Sequence, residues 1–98
     1  MAMVQIEQHD DTKTETLIQA VFEALHRPHG PALVRSMEAY AESRLCPGSR
    51  VRFSDVYNGQ RFIIAHYAGY DWRINAEIAH DFQDFRIWDL VSIWRSDD

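Results

Sequence analysis

The chain has 98 residues, 46% of them apolar, and a formal net charge of −5. That length fits one domain, and the apolar content supplies a core and excludes overall disorder. The acidic balance argues against bulk binding to nucleic acid or anionic membranes. No apolar run nears the roughly 18 residues of a membrane span. The start, Met1-Ala2-Met3-Val4-Gln5-Ile6-Glu7, lacks the basic-then-apolar order of a secretory signal. A single cysteine, Cys46, leaves no internal disulfide. Together these point to the cytoplasm. Lys13 is the one lysine beside nine arginines. Arginine forks onto carboxylates and stacks on rings, which suits specific pairing, although biased codon usage explains it equally well.

Residues 1–11 read as a flexible segment or, from the alternation of Val4 and Ile6 with polar neighbours, a short edge strand. Residues 12–98 read as a single domain. Thr12-Lys13-Thr14-Glu15 fits a capping box, with Thr12 as the cap. Leu17, Ile18, Val21, Phe22 and Leu25 then recur at helical spacing, so a helix is expected over 14–26. Pro28 and Gly30 end it. Pro31 suits the first position of a second helix, whose stripe is Leu33, Val34, Met37, Tyr40, Ala41 and Leu45. Glu38 and Glu42 lie at contact spacing from Arg35 and Arg44. Cys46-Pro47-Gly48 stops this helix, and the short connection predicts an antiparallel helix hairpin.

From Arg50 the period changes to two. Asn58-Gly59 lies between two β-rich runs, 51–57 and 61–67, and supplies the two positive-φ residues of a type I′ turn. A two-residue loop there opposes Asp55 to Phe62, Phe53 to Ile64 and Val51 to His66 on one face. The other face takes Val56–Arg61, Ser54–Ile63, Arg52–Ala65 and Arg50–Tyr67. A three-residue loop at Gly69-Tyr70-Asp71 keeps the apolar residues together with a third strand, 72–79. The segment 84–95 has helix-like spacing at Ile87, Leu90, Val91 and Trp94, but its β-branched and aromatic content favours a strand with a bulge near Asp89.

One face is then Val51, Phe53, Phe62, Ile64, Trp72, Ile74, Ala76 and Ile78, and should lie beneath the helices. The expected fold is α+β in two layers, an N-terminal antiparallel helix hairpin packed on one face of a C-terminal antiparallel β-meander of three to four strands. The opposite face gathers Arg50, Arg52, Arg61, Tyr67, Arg73 and Asn75, with Ser54, Ile63 and Glu77. Arginines and aromatic rings on an open sheet suit an acidic partner, a planar anion or single-stranded nucleic acid. They equally suit ion pairs with neighbouring acids on an ordinary solvated face. The apolar residues left outside suggest cover by another chain, since tryptophan and arginine are enriched at binding hot spots.

Other constellations are weaker. His26 and His29 flank Pro28, with His80-Asp81 elsewhere, but two loop histidines fall short of the three or four ligands zinc needs, so no metal is assigned. His66 and Asp55 interrupt the apolar face and, with Tyr40 and Trp72, form an alternative pocket with acid–base potential. Cys46 ends a helix, where the dipole disfavours a thiolate, and reads as a small apolar filler. Phosphate-binding, nucleophile-elbow, C-x-x-C and H-E-x-x-H motifs are missing, and no cofactor is expected. The expectation is a small non-catalytic interaction or regulatory module of the cytoplasm. It would be a homodimer, or bind another protein or a small ligand, through the arginine-aromatic face. The alternatives are a small-molecule pocket or enzyme using His66 and Asp55, and single-stranded nucleic-acid binding.

Overall fold

The computed structural model describes residues 3–5 and 12–96. The element order is β1 (Met3–Gln5), α1 (Thr12–His26), α2 (Leu33–Ser43), β2 (Arg50–Phe53), β3 (Gln60–Tyr67), β4 (Tyr70–Asp81) and β5 (Arg86–Ser96). This is the expected two-layer α+β fold. The meander β2–β5 forms one antiparallel sheet, and β1 joins it as an edge beside β5, giving the order β1-β5-β4-β3-β2. The short edge strand read from Val4 is therefore present over Met3–Gln5, while Ile6 lies outside the described residues. No described helix is long and apolar enough to cross a membrane.

Both helices bury a narrow stripe. In α1 this is Leu17, Ala20, Val21, Ala24 and Leu25, whereas Phe22 points outward and stacks on His26 at 4.2 Å. Thr12, read as the cap, is already the first helical residue, and its carbonyl accepts the Thr16 hydroxyl at 2.7 Å. In α2 only Met37 and Ala41 are fully buried; Leu33 is exposed, and the helix starts two residues after Pro31 rather than at it. Glu38 and Glu42 do not turn back to Arg35 and Arg44. Their carboxylates accept the backbone N–H groups of Phe53 and Val51 on β2, at 2.9 and 2.8 Å. Arg44 pairs instead with Glu23 of α1.

The Asn58-Gly59 turn forms as expected, with φ of 52° and 73° and reciprocal hydrogen bonds between Tyr57 and Gln60. The pairing beyond it departs from the expectation. Four steps from Phe53 to Tyr57 face three steps from Gln60 to Ile63, so one extra residue bulges out among Ser54, Asp55 and Val56. A bulge shifts everything beyond it by one position. Val51 therefore opposes Ala65 and Phe53 opposes Ile63, rather than His66 and Ile64. Phe62 and Ile64 turn outward, while Arg61, Ile63, Ala65 and Tyr67 turn inward beneath the helices.

The second turn also differs. It is a two-residue loop, Ala68-Gly69, with φ of 57° and 83°, and Tyr67 opposes Tyr70. The three-residue loop kept the apolar residues together only while the bulge at 54–56 was unaccounted for, and the shorter loop takes a positive φ at Ala68, which is costly for alanine. Residues 86–96 are a strand, and the bulge lies at Val91: Asn75 opposes Ser92 while Ala76 opposes Leu90. The extra residue puts Leu90 and Ile93 on the inner face and leaves Trp94 on the outer one, so the apolar residues of this strand do not alternate simply. A second bulge, at Ala79 on β4, restores the register before the hairpin loop.

The core lies between the layers. Trp72, Ile74 and Ala76 of β4 sit at its centre, flanked by Ile63 and Ala65 of β3, Val51 and Phe53 of β2, and Trp88 and Ile93 of β5. Leu17, Val21, Ala24 and Met37 close it from above. The Trp72 indole donates to the Tyr67 carbonyl at 2.9 Å, so its one polar atom is satisfied in the core. Cys46 is exposed rather than a filler, because it belongs to a tight turn in which its carbonyl accepts from the Ser49 backbone and hydroxyl.

Candidate functional site

The face of the sheet away from the helices is built by the odd-numbered positions of β4 and the even-numbered positions of β2 and β3. Cross-strand pairing sets out four rows on it. The first is Arg50, His66 and Asp71; the second is Arg52, Ile64, Arg73 and Trp94; the third is Phe62, Asn75 and Ser92; the fourth is Gln60, Glu77 and Asp89. Rows are spaced by two strand residues, so the first and fourth stand about 20 Å apart.

Four of the six residues expected on this face are there: Arg50, Arg52, Arg73 and Asn75. Arg61 and Tyr67 are not. They are buried on the opposite face because of the bulge in 54–56. Their places are taken by Phe62 and Ile64, 38% and 51% exposed, and by half-buried Trp94. These three hydrophobic residues were assigned elsewhere or left unplaced by sequence reasoning. The signal that marks them is Asp55, an acid in an otherwise apolar row, which is what an extra residue produces.

The face is partly preorganised. The Arg73 guanidinium stacks 4.3 Å from the Phe62 ring centre and its Nε donates to Asn75 Oδ1. Arg52 is held by Glu42 at 3.0 Å, and His66 by Asp71 at 2.9 Å. The Trp94 indole donates to Ser92 Oγ. The Arg50, Arg52 and Arg73 end of the face is cationic, and the Glu77 and Asp89 end is acidic.

The alternative pocket does not assemble. Trp72 lies in the core, and the Tyr40 hydroxyl donates to Glu23 between the helices. His66 is exposed on the outer face at one end of β3, and Asp55 is exposed on the bulge near the other. The packed core separates the four, so the sequence spacing that placed His66 and Asp55 on one apolar face is superseded by the new register.

The histidines near Pro28 have structural partners. His26 Nδ1 donates to the Phe22 carbonyl at 2.7 Å, and its Nε2 accepts the Trp88 N–H at 3.0 Å, which requires the neutral Nδ1–H tautomer. His29 Nε2 donates to the Ala24 carbonyl. His80 stacks on Phe82. Among the described residues, no group of three or more metal-ligating side chains is present.

Arg61 is the side chain whose burial is hardest to reconcile with its chemistry. It is 8% exposed. Its Nε donates to the Ser54 carbonyl, its Nη1 reaches the Met37 sulfur at 3.7 Å, and its guanidinium lies over the Trp88 ring. Burial lowers its pKa, opposed by the attraction of Asp55 and reinforced by the repulsion of Arg86. No family model, curated protein or solved structure matches this chain.

Proposed function

We propose that this chain is a small non-catalytic interaction module of the cytoplasm, and that its open sheet face docks a protein surface, in the first instance a second copy of itself. The observation that carries this reading is the row Arg52, Ile64, Arg73 and Trp94, which crosses four strands on the face without helices. Exposed aliphatic and aromatic groups interleaved with stacked arginine have the composition of a binding hot spot.

Charge placement favours self-association. A two-fold axis lying in the interface and running across the strands sets the arginine end of one copy over the Glu77 and Asp89 end of the other. Both ends are then satisfied at once, as a symmetric interface requires. The same acidic end repels a phosphate backbone, which disfavours single-stranded nucleic acid as the occupant.

Light scattering tests the reading. The chain is expected to have the mass of a dimer, and Ile64→Glu combined with Arg73→Glu is expected to give a folded monomer. A wild-type monomer, or a dimer unaffected by the double substitution, overturns it.

A further inference from the structure

A second site lies on the helix side of the sheet, at the β4–β5 hairpin. The α1–α2 connection and the β4–β5 hairpin loop enclose a cleft of about 780 Å³, with Arg61, Met37 and Trp88 among its lining. That volume lies in the range of small-molecule pockets. At its lip Leu33, Phe82 and Phe85 are 49%, 49% and 58% exposed, although Phe82 and Phe85 stack on one another at 4.7 Å. Large rings left this open beside a cleft are an unfilled apolar surface.

The charge at its base is also unfilled. A guanidinium carries five N–H donors. Arg61 uses Nε on a carbonyl and one donor on a sulfur, which is a weak acceptor. No carboxylate among the described residues pairs with it. Burying a charge without a contacting carboxylate is costly, and an anion placed on its remaining donors lowers that cost. The lining holds three arginines, Arg27, Arg61 and Arg86, against two aspartates, Asp81 and Asp84. Arg86 and Asp81 are paired at 3.2 Å. Asp55 attracts Arg61 without touching it, so the unused donors of Arg61, rather than a charge balance, point to an anion.

We infer that this cleft binds a small organic carboxylate with an apolar, ring-sized body. The carboxylate sits on the free donors of Arg61 and completes its pairing. The body lies against Trp88, Phe82 and Phe85. The site is independent of the open sheet face.

Titration calorimetry and amide NMR with 1-naphthoate as the probe test this. A ligand of that size is expected to bind with a Kd on the order of 1 mM or tighter and to shift the Trp88 amide. The neutral analogue 1-naphthalenemethanol and the bodiless anions acetate and inorganic phosphate are each expected to bind at least roughly tenfold more weakly, since both the charge-assisted pairing and the apolar contact contribute. Arg61→Met is expected to weaken naphthoate by a similar factor and leave naphthalenemethanol unchanged. Absence of naphthoate binding, equal binding of the neutral analogue, or phosphate binding as tightly as naphthoate overturns the assignment. The comparison between ligands decides the question on the wild-type protein alone should Arg61→Met fail to fold.

Discussion

Glu38 Oε2 accepts the Phe53 amide at 2.9 Å, and one helical turn later Glu42 Oε2 accepts the Val51 amide at 2.8 Å. These two carboxylates occupy donors on the free side of β2, the last strand of the sheet. An exposed edge invites pairing with another chain, and a covering helix is one of the ways proteins prevent it. Glu38→Ala and Glu42→Ala are each expected to cost ~1–3 kcal/mol, measured by urea denaturation, because a hydrogen bond to a charged acceptor is lost. The double substitution is also expected to add concentration-dependent aggregates in light scattering. Glu42→Gln keeps an acceptor and loses only the exposed Arg52 pair, so its cost is expected below ~1 kcal/mol.

Ala68 holds a φ of 57° in the β3–β4 turn. A left-handed conformation costs an L-residue ~1–2 kcal/mol, while glycine adds ~0.5–1 kcal/mol of backbone entropy to lose on folding. Ala68→Gly is expected to be stabilising by up to ~1 kcal/mol, and Gly69→Ala, at a φ of 83°, destabilising by about the same amount. Thermal denaturation of the two variants reads both signs. A lower Tm for Ala68→Gly contradicts the turn assignment.

Val91 is the surplus residue of β5. Asn75–Ser92 and Ala76–Leu90 stay opposed whether or not it is present. Its deletion is therefore expected to leave the fold intact, with a stability change within ~1 kcal/mol by urea titration. Deleting Ile64, on a strand regularly paired with β4, instead reverses the facing of half of β3. That variant is expected not to fold, because it exposes several core residues whose individual loss costs ~2–5 kcal/mol. Near-ultraviolet circular dichroism distinguishes the two outcomes.

Arg61 predicts a stability effect of unusual sign. Its folded-state pKa is lowered, chiefly by burial, so the folded protein holds that proton less tightly than the unfolded chain. For a base this means the charged form opposes folding at every pH below its folded-state pKa, and the penalty is relieved only in strong alkali. No dependence on Arg61 is expected near neutrality. Arg61→Met, similar in length and uncharged, is expected to melt at the same temperature as the wild type or above it, as found when buried charges give way to packed apolar groups. A large drop in Tm contradicts this.

The elements were legible in the sequence because their signals are local. Leu17, Val21 and Leu25 mark α1 by spacing, and Asn58-Gly59 marks its turn by backbone chemistry. The facing of β3 was not legible. Ile63, Ala65 and Tyr67 compete with Phe62 and Ile64 for the core, so either parity gives an apolar face. The decision rests on one residue's bulge at 54–56, marked only by Asp55 in an apolar row, and on Ala68 accepting a strained φ, which has no distinctive sequence signature. Arg50, Arg52, Arg73 and Asn75 kept their place because two opposing errors, in β3 and in its loop to β4, left β2 and β4 correctly faced. The cleft around Arg61 was invisible for a further reason. It joins loops at 26–33 and 81–87 that no periodicity relates.

The pairing of α2 with β2 sets a limit on how long that strand can grow. Four residues advance ~6.0 Å along a helix, and two residues advance ~6.6–6.8 Å along a strand. Glu38 and Glu42 absorb that difference once, through the reach of their side chains. A further acid one turn away would meet its amide more than ~1 Å out of step, beyond what a good hydrogen bond tolerates. A glutamate ladder therefore protects an edge only as short as Arg50–Phe53. Any homologue with a longer β2 must guard the added residues by another device, such as a proline or an outward lysine.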